Sequence, residues 1–364
     1  MKSTHLQPDL RLTCLLLIGI VLLAVPLPAQ VLAYVPDQSS NRVLVIDTAN
    51  NKLTAKVPVG LAPYGVAITP NGLRAYVTNQ GSNSVTVIDT RHNAVTDTIA
   101  VGKLPSGIAI APDGGHVYVA NGLSNSVSVI EVKSNVVVDT VSVGISPLGV
   151  AITPDGARVY VTNEYANMVS VIDTATDTVI GTISVGDLPF MLAVTPNGSR
   201  AYVANWAIES DSVSVIDTSI DQVVATVKVG ANPIAVAITP NGETAYVANS
   251  GDNSVSVVDL DGNSVTTTIR VGNFPSELAI TPNGARVYVT NQSFPGSISV
   301  ISTASNLVID TLNIGGVPVG VAIAPAIGPP TSISQCEHGR WKVFDVPRKF
   351  KSELECIGFV YLAK

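Results

Sequence analysis

The chain has 364 residues, of which 13% are charged and 46% are hydrophobic, and its formal net charge is −7. A chain of this length forms one large domain or two small ones. So little charge on so hydrophobic a chain is unusual for a soluble monomer, and it excludes a fold that buries its elements on one face only.

The N-terminal residues have the features of a secretory signal peptide. Lys2 and Arg11 flank a short polar region, an apolar run follows over residues 14–25, and Val31 and Ala33 are small residues placed for cleavage. The apolar run is shorter than a membrane span. We therefore expect residues 1–32 to direct export to the periplasm, the cell surface or the medium. A retained N-terminal anchor is the alternative.

An internal repeat dominates the rest of the chain. Each unit runs Ala-Tyr-Val-x-Asn, then Ser-Val-x-Val-Ile-Asp-Thr, then a valine-rich stretch ending in Val-Gly, then Pro-x-Gly-Val-Ala-Ile-Thr-Pro-Asn-Gly. The glycine of the Val-Gly pair recurs at gaps of 42, 42, 42, 44, 42 and 43 residues, at Gly60, Gly102, Gly144, Gly186, Gly230, Gly272 and Gly315. Four short β-rich runs separated by Gly, Pro, Asn and Asp turns are typical of a propeller blade. The repeat predicts an all-β, seven-bladed β-propeller of four-stranded antiparallel blades.

The run Val-Ala-Ile-Thr does not alternate polar and apolar residues, which predicts an innermost strand that is buried on both faces. Its middle residue is alanine in every copy, at Ala67, Ala109, Ala151, Ala193, Ala237, Ala279 and Ala322. The array begins with a second strand at Ala33 and ends with an innermost strand near Ala322. We predict that the final strand pairs with residues 33–59, which would close the ring and join its two ends.

Residues 76–79, 160–163 and 288–291 each read Tyr-Val-Thr-Asn. These motifs resemble the YVTN-type (YncE-like, surface-layer) β-propeller repeat family, over residues 33–325. The resemblance implies an exported or surface-layer protein. Related propellers include periplasmic proteins, lactonase-like enzymes and subunits of redox enzymes, so the resemblance leaves the activity open.

Antiparallel strands sort the connections between them onto two faces. The loops after Val-Gly and after Ala-Tyr-Val-x-Asn emerge on one face, called here the top face. The Pro-Asn-Gly turns and the Asp-Thr connections emerge on the opposite, bottom face. The bottom turns hardly differ between copies, which indicates hairpin chemistry rather than function. The top connections do differ, and we therefore expect function there.

The departures from the repeat gather on the top face. Glu277 and Met191 replace the glycine after Pro-x, and aromatic residues outside the repeat tyrosine are Tyr64, Tyr165, Phe190, Trp206, Phe274 and Phe294. The acidic residues assigned to this face are Asp37, Glu164, Asp187, Glu209, Asp211, Asp252 and Glu277, against the basic Arg42 and Lys103. We predict that Glu277 and the six aromatic residues bind a ligand. The alternative is that the aromatic side chains only cap the ends of the sheets.

A ring of amide side chains ends the Tyr-Val-x-Asn strands. It comprises Asn79, Asn121, Asn163, Asn205, Asn249 and Asn291, completed by Asp37. Side chains of this type at a strand end bind the amides of turns, so the ring is predicted to be structural.

Catalytic motifs are scarce. His92 and His116 fall on bottom turns, and the chain has no GxSxG elbow, P-loop or CxxCH motif. No cofactor or metal is predicted.

The leading hypothesis is a non-catalytic scaffold that binds a protein, peptide or glycan. The alternative is a lactonase-like hydrolase in which Glu277, with Glu164 or Glu209, supplies carboxylates at the mouth of the channel. Nucleic acid is not expected as a partner, because an acidic face repels phosphate.

The C-terminal segment is not a repeat. Residues 326–335 form a predicted linker, and residues 336–364 contain Cys336 and Cys356 in a short basic module. In an oxidising compartment the two cysteines predict one disulfide, worth roughly 3 kcal/mol. Metal binding that includes His338 is the alternative. The segment resembles a short cysteine-containing module found at the C-termini of exported bacterial proteins.

Overall fold

The computed structural model describes residues 31–207 and 211–325, which form seven four-stranded antiparallel sheets. The sheets are the blades of a propeller, so the predicted fold is confirmed. The predicted signal peptide, the linker and the module with Cys336 and Cys356 lie outside the described residues. No helix among the residues described is both long and apolar enough to cross a membrane.

The strands follow one another from blade to blade. Blade one contains β1 (Leu32–Asp37), β2 (Arg42–Asp47) and β3 (Lys52–Pro58), and is completed from the far end of the array by β28 (Ala322–Ile323). Blades two to four contain β4 (Pro63–Ile68), β5 (Arg74–Asn79), β6 (Ser84–Asp89), β7 (Ala94–Ala100), β8 (Pro105–Ile110), β9 (His116–Asn121), β10 (Ser126–Glu131), β11 (Val136–Ser142), β12 (Pro147–Ile152), β13 (Arg158–Asn163), β14 (Met168–Asp173) and β15 (Thr178–Ser184). Blades five to seven contain β16 (Pro189–Val194), β17 (Arg200–Asn205), β18 (Ser212–Asp217), β19 (Gln222–Lys228), β20 (Pro233–Ile238), β21 (Thr244–Asn249), β22 (Ser254–Asp259), β23 (Ser264–Arg270), β24 (Pro275–Ile280), β25 (Arg286–Asn291), β26 (Ser297–Ser302) and β27 (Leu307–Asn313). Short 3₁₀ turns follow β1 at Gln38–Ser40 and β13 at Glu164–Ala166.

The two ends of the array close the ring. Strand β28 pairs antiparallel with β1, with Ala33 opposite Ile323 and Tyr34 opposite Ala322. The contact continues beyond the strand, because the Val319 N–H donates to the Pro36 carbonyl at 3.1 Å. The predicted pairing of the last strand with the first is therefore confirmed.

The second and third strands of each blade are more buried than the innermost strand. In β5 every residue after Arg74 is buried, whereas Ala67 and Ile68 of β4 are only half-buried. The prediction that the innermost strand is buried on both faces was therefore wrong for these residues. One edge of that strand lines the propeller axis, while the middle strands have a strand on each side and a blade on each face.

The hydrophobic core lies between blades. One cluster joins Tyr76 and Val87 of blade two to Val117, Val119 and Ile130 of blade three, and six similar clusters occupy the other interfaces. A fully buried aliphatic side chain contributes about 1.5–3 kcal/mol. Each blade is thus stabilised mainly by its two neighbours.

The repeat tyrosine hydrogen-bonds each blade to the next. Its hydroxyl donates to an Asn or Asp side chain in the bottom hairpin of the following blade. The pairs are Tyr34–Asn93, Tyr76–Asn135, Tyr118–Asp177, Tyr160–Asp221, Tyr202–Asn263, Tyr246–Asn306 and Tyr288–Asn51, at 2.5 to 3.1 Å. Each acceptor residue has a φ between 47° and 57°, a left-handed conformation that Asn and Asp adopt more readily than other side chains. The last pair joins blade seven to blade one, so the set is a closed ring.

The glycine of the Val-Gly pair is required by a close approach to the Asn ring. A Cβ on Gly60 would lie 2.6 Å from Cγ of Asn79, and one on Gly144 equally close to Cγ of Asn163. In the seventh copy the residue in this contact is Gly316, which packs on Asp37. Gly315 follows β27 as Gly60 follows β3, so its place in the repeat is as predicted, and the contact with the ring is made by the neighbouring Gly316.

Removing one hydroxyl of the tyrosine ring should destabilise the protein measurably. We expect Tyr246→Phe to lower the free energy of unfolding by about 1 kcal/mol, because Asn306 loses its buried donor. The measurement is equilibrium unfolding in denaturant. The control is Tyr165→Phe, at a side chain that is 67% exposed. Equal effects for the two variants would contradict the role given to the ring.

Candidate binding face

Five of the innermost strands, β4, β8, β12, β16 and β24, leave the ladder at their second and third residues. In β4, Pro63 pairs with Asn79 and Val66 with Val77, so the intervening Tyr64 and Gly65 have no ladder partner. The same irregularity in β24 releases Ser276 and Glu277. This departure is what lets the side chains of Tyr64 and Glu277 differ from the repeat without disturbing the sheet.

The threonine of the Tyr-Val-Thr-Asn motif replaces the lost ladder bonds. In blade seven the Glu277 N–H donates to Oγ1 of Thr290 at 3.0 Å, and that hydroxyl donates to the Glu277 carbonyl at 3.2 Å. In blade two the Gly65 N–H donates to Oγ1 of Thr78 at 2.8 Å. The motif therefore holds the backbone of Glu277 in place from the neighbouring strand.

A narrow cavity of about 70 Å³ lies on the axis, and it is lined by innermost-strand residues of blades two to seven. The third residues of five of these strands contribute to it, namely Gly65, Gly107, Met191, Ala235 and Glu277. Glu277 is the one ionisable side chain among the lining residues. A single water needs about 10–15 Å³ of such space, so the cavity has room for a few waters or one small ligand group.

Glu277 lies against the closing strand of blade one. Its Oε2 is 3.1 Å from the position that a Cβ on Gly320 would occupy, and it accepts a hydrogen bond from the Val321 N–H. Burial raises the pKa of Glu277 to about 8, although the Val321 bond acts in the opposite direction. The carboxyl is therefore mainly neutral at pH 7 and can both donate and accept.

Tyr64 and Glu164 join Glu277 at the same end of the axis. Burial raises the pKa of Tyr64, and the carboxylates of Glu277 and Glu164 raise it further. Burial also raises the pKa of Glu164, against a hydrogen bond from Oγ of Ser146 at 3.1 Å. Tyr64, Glu164 and Glu277 come from blades two, four and seven, and are called here the mouth group. Glu209 lies outside the described residues.

The surroundings of the mouth group differ from one side to the other. On the side of blades two, three and seven, side-chain amides meet hydroxyls: Gln80 Nε2 donates to Oγ of Ser106 at 3.1 Å, and Gln292 Nε2 donates to Oγ of Ser276 at 2.7 Å. In blade five the rings of Phe190 and Trp206 are tilted by 45°, with centroids 6.3 Å apart. One side of the mouth is therefore rich in hydrogen-bonding groups and the other is aromatic.

The predicted aromatic residues occupy two kinds of position. Tyr64 and Phe190 are half-buried residues of strands β4 and β16, rather than loop residues as predicted. Trp206 is 37% exposed, whereas Tyr165, Phe274 and Phe294 are 60% exposed or more. These three do not cap the sheets, because their rings extend into solvent.

Three aliphatic residues on the same face were not predicted from the sequence. The exposed Leu61, Leu123 and Ile145 lie in top connections, and an apolar residue directly after Val-Gly would have indicated two of them. The exposed apolar side chains Leu61, Leu123, Ile145, Tyr165, Phe274 and Phe294 are called here the rim. They belong to different blades and connections, so apolar surface is distributed around the top face.

Several of the predicted acidic residues are parts of the loops. Asp37 is fully buried and its Oδ2 binds the Arg42 guanidinium at 2.9 Å, so its assignment to an acidic surface was wrong. Burial raises the pKa of Asp37, but bonds from Val317, Ser40 and Ser39, together with the charge of Arg42, bring it below its usual value. Asp252 accepts a bond from the Ala231 N–H at 2.6 Å. Several of the predicted acidic side chains therefore bind groups within the top loops instead of facing a ligand.

The Asn ring has a structural role, although by different bonds from those predicted. Asn79 is fully buried, and its Nδ2 donates to hydroxyls of the following strand, at 2.9 Å to Oγ1 of Thr86. The equivalent amides of the other blades bind Ser hydroxyls in the same way. The ring joins neighbouring strands rather than turn amides. Within residues 31–207 and 211–325, no three His, Cys, Asp or Glu side chains are grouped so that they could hold a metal ion.

Two family models match the chain, each over a different part. Residues 150–325 match the model described as a YNCE-like beta-propeller, and residues 24–179 match the model described as Lactonase, 7-bladed beta-propeller. The chain is a seven-bladed β-propeller that is similar to both families, each over less than half of its length. The resemblance expected from the Tyr-Val-Thr-Asn motifs is thereby confirmed. A search of curated proteins finds no match.

Solved structures with this fold come from proteins of different kinds. A hydrazine synthase chain from Kuenenia stuttgartiensis is 24% identical, with a TM-score of 0.69 over 84% of this chain and 99% of that one. A functionally unknown protein from Desulfotomaculum acetoxidans is 17% identical, with a TM-score of 0.72 over 81% and 99%. The dihydro-heme d1 dehydrogenase NirN is 14% identical, with a TM-score of 0.61 over 80% and 74%. At these identities the likeness shows the fold alone.

The raised pKa of Glu277 should make stability depend on pH. The unfolded chain releases this proton near pH 4.5 and the folded chain near pH 8, so the free energy of unfolding should fall as pH rises between these values. We expect Glu277→Gln to remove this fall, and to gain stability over the wild type at pH 8.5 relative to pH 5. The measurement is denaturant unfolding across this range.

A matched control for loss of a carboxylate is Glu243→Gln, at an exposed site on a bottom turn. Its difference from the wild type should not grow with pH. Parallel curves for the wild type and Glu277→Gln would contradict the buried, neutral state assigned to Glu277.

Proposed function

We propose that the chain is a non-catalytic scaffold that binds a glycan through its top face, at the cell surface or in the periplasm. The observation that carries the proposal is the division of the mouth into a hydrogen-bonding side and an aromatic side. Proteins and peptides are the other ligand classes that a rim of exposed apolar side chains could serve.

The chemistry of a sugar ring fits such a mouth. A pyranose has hydroxyls around its edge and C–H groups on its faces, so it needs hydrogen-bonding partners on one side and an aromatic surface on the other. Gln80 and Gln292 offer amide donors and acceptors. The mainly neutral carboxyl of Glu277 matches a neutral polyol better than a cation, because a cation would favour the ionised carboxyl that burial disfavours.

The size of the axial cavity limits how much of a ligand could enter. About 70 Å³ admits a hydroxyl or hydroxymethyl group rather than a whole sugar. The rest of the ligand would then lie across Trp206 and Phe190, towards the exposed Tyr165. The rim offers further apolar contact to a chain of several sugars.

The test is a combined glycan and peptide array, followed by titration of any hit. We expect a glycan hit, and about tenfold or greater weakening in the double variant Tyr165→Ala/Trp206→Ala. The matched control is Ile220→Ala, which removes an exposed apolar side chain from a bottom turn and should bind as the wild type. Hits confined to peptides, or a glycan hit unaffected by the double variant, would overturn the proposal.

A lactonase-like hydrolase is the second candidate, and the convergence of Glu164 and Glu277 on Tyr64 favours it. Residues 24–179 also match the lactonase family model. In such a reaction one carboxylate would take a proton from a water molecule while the oxygen of that water bonds to the lactone carbonyl carbon. The ring C–O bond would then break, and a protonated carboxyl or phenol would supply the proton of the new hydroxyl.

The test of this candidate is the hydrolysis of a panel of lactones, measured by the protons that the reaction releases. If it is correct, the wild type should open at least one lactone above background, and Glu277→Gln should lose about 100-fold or more of that rate. Turnover indistinguishable from background on every lactone, or an unchanged rate in Glu277→Gln, would exclude the mouth group as a lactonase site.

A further inference from the structure

The residue that lies two positions after the proline of each innermost segment divides the axis into two halves. It is glycine in blades one to four, and it is Met191, Ala235 and Glu277 in blades five, six and seven. A Cβ on Gly65 or Gly149 would lie 2.6 Å from a backbone carbonyl oxygen of the next blade. The glycine half therefore has no room for side chains, and the width of the axial cavity is set by blades five to seven.

The axial cavity offers a ligand one hydrogen-bonding side chain. Apart from Glu277, its lining residues are glycine, alanine, valine, leucine, isoleucine and methionine. The backbone beside it is bound within the fold, as in blade two, where the Gly65 N–H donates to Oγ1 of Thr78. The Glu277 carboxyl accepts a bond from the Val321 N–H. A protonated carboxyl has one donor and further acceptor sites, so it can bind a second group that both donates and accepts.

The chemical group that fits this cavity has a short apolar part and one hydroxyl. A carboxylate or a phosphate would lose its water beside the carboxyls of Glu277 and Glu164, and a buried charge without a partner is costly. A methyl group would leave the polar atoms of Glu277 without a partner. A hydroxymethyl group avoids both costs, because its CH₂ meets the aliphatic wall and its hydroxyl donates and accepts.

We infer that the axial cavity binds the hydroxymethyl group of a neutral hexopyranose, and that Met191 limits the length of the group that enters. This inference rests on the proposed glycan function and names the class of sugar that the site selects. The hydroxymethyl group is attached at the edge of the sugar ring. It can therefore point along the axis while one face of the ring lies on Phe190 and Trp206.

The test is titration calorimetry with methyl glucoside, galactoside and mannoside at up to millimolar concentrations, each compared with its 6-deoxy, pentopyranoside and 6-O-methyl counterparts. We expect at least one hexoside to bind about tenfold or more tightly than all three counterparts, because a site that binds a hydroxyl is left with an unpaired polar group by an analogue that lacks it. Glu277→Leu should remove the preference for the hexoside over the 6-deoxy sugar.

A second variant tests for a gain of binding, which a poorly folded protein cannot imitate. Met191→Ala shortens the side chain at the cavity, so the 6-O-methyl hexoside that the wild type rejects should bind within about threefold of the parent hexoside. The matched control is Met168→Ala, at a half-buried residue of β14 that does not line the cavity. It should reject the 6-O-methyl sugar as the wild type does. Circular dichroism verifies that the variants are folded.

The outcomes separate this inference from the proposed function. Equal affinity of the wild type for hexosides and their counterparts, or no gain in Met191→Ala, would overturn the inference and leave glycan binding intact. Glycan hits on the array without binding of any methyl hexoside would also overturn it, since a hydroxymethyl subsite must hold a single hexose. Absence of binding to both the hexosides and the array would overturn the proposed function itself.

Discussion

The hydrogen bond from the repeat tyrosine to the following blade is the interaction on which the propeller depends. The seven tyrosines are among the largest fully buried side chains, and each hydroxyl must find a partner in an otherwise apolar interface. That partner is an Asn or Asp in the left-handed conformation of a bottom hairpin. Since the bond from Tyr288 returns to Asn51, no blade interface lacks it, and the angle between blades is set seven times by the same contact.

The tyrosine bonds between blades do not involve the second and third residues of the innermost strands, and these residues can therefore vary. In blade seven they do not pair in the ladder, and the threonine of the Tyr-Val-Thr-Asn motif binds the backbone groups that the irregularity releases. A glutamate can therefore replace glycine at position 277 without loss of the sheet. The departures that matter for function are thus concentrated where the fold tolerates them.

The electrostatics of the mouth follow from its position on the axis. Glu277 and Tyr64 are partly screened from water by the converging blades, and this desolvation favours their neutral forms. A neutral carboxyl and a phenol beside amides form a hydrogen-bonding surface rather than a charged one. The same convergence gives the hydrolase alternative its physical basis, since two carboxyls with raised pKa values both act on the phenol of Tyr64.

The sequence by itself determined the blade number, the strand order and the closure of the ring, because each blade repeats the same local pattern of turns and alternating valines. It also placed Tyr165, Phe274 and Phe294 correctly on the top face. Only the tertiary structure brought Glu164 and Glu277 to Tyr64, since these residues are far apart in the chain and no local pattern records which side chains meet on the axis. It likewise decided that Asp37 is buried beside Arg42, because that depends on a closing strand contributed by the other end of the array.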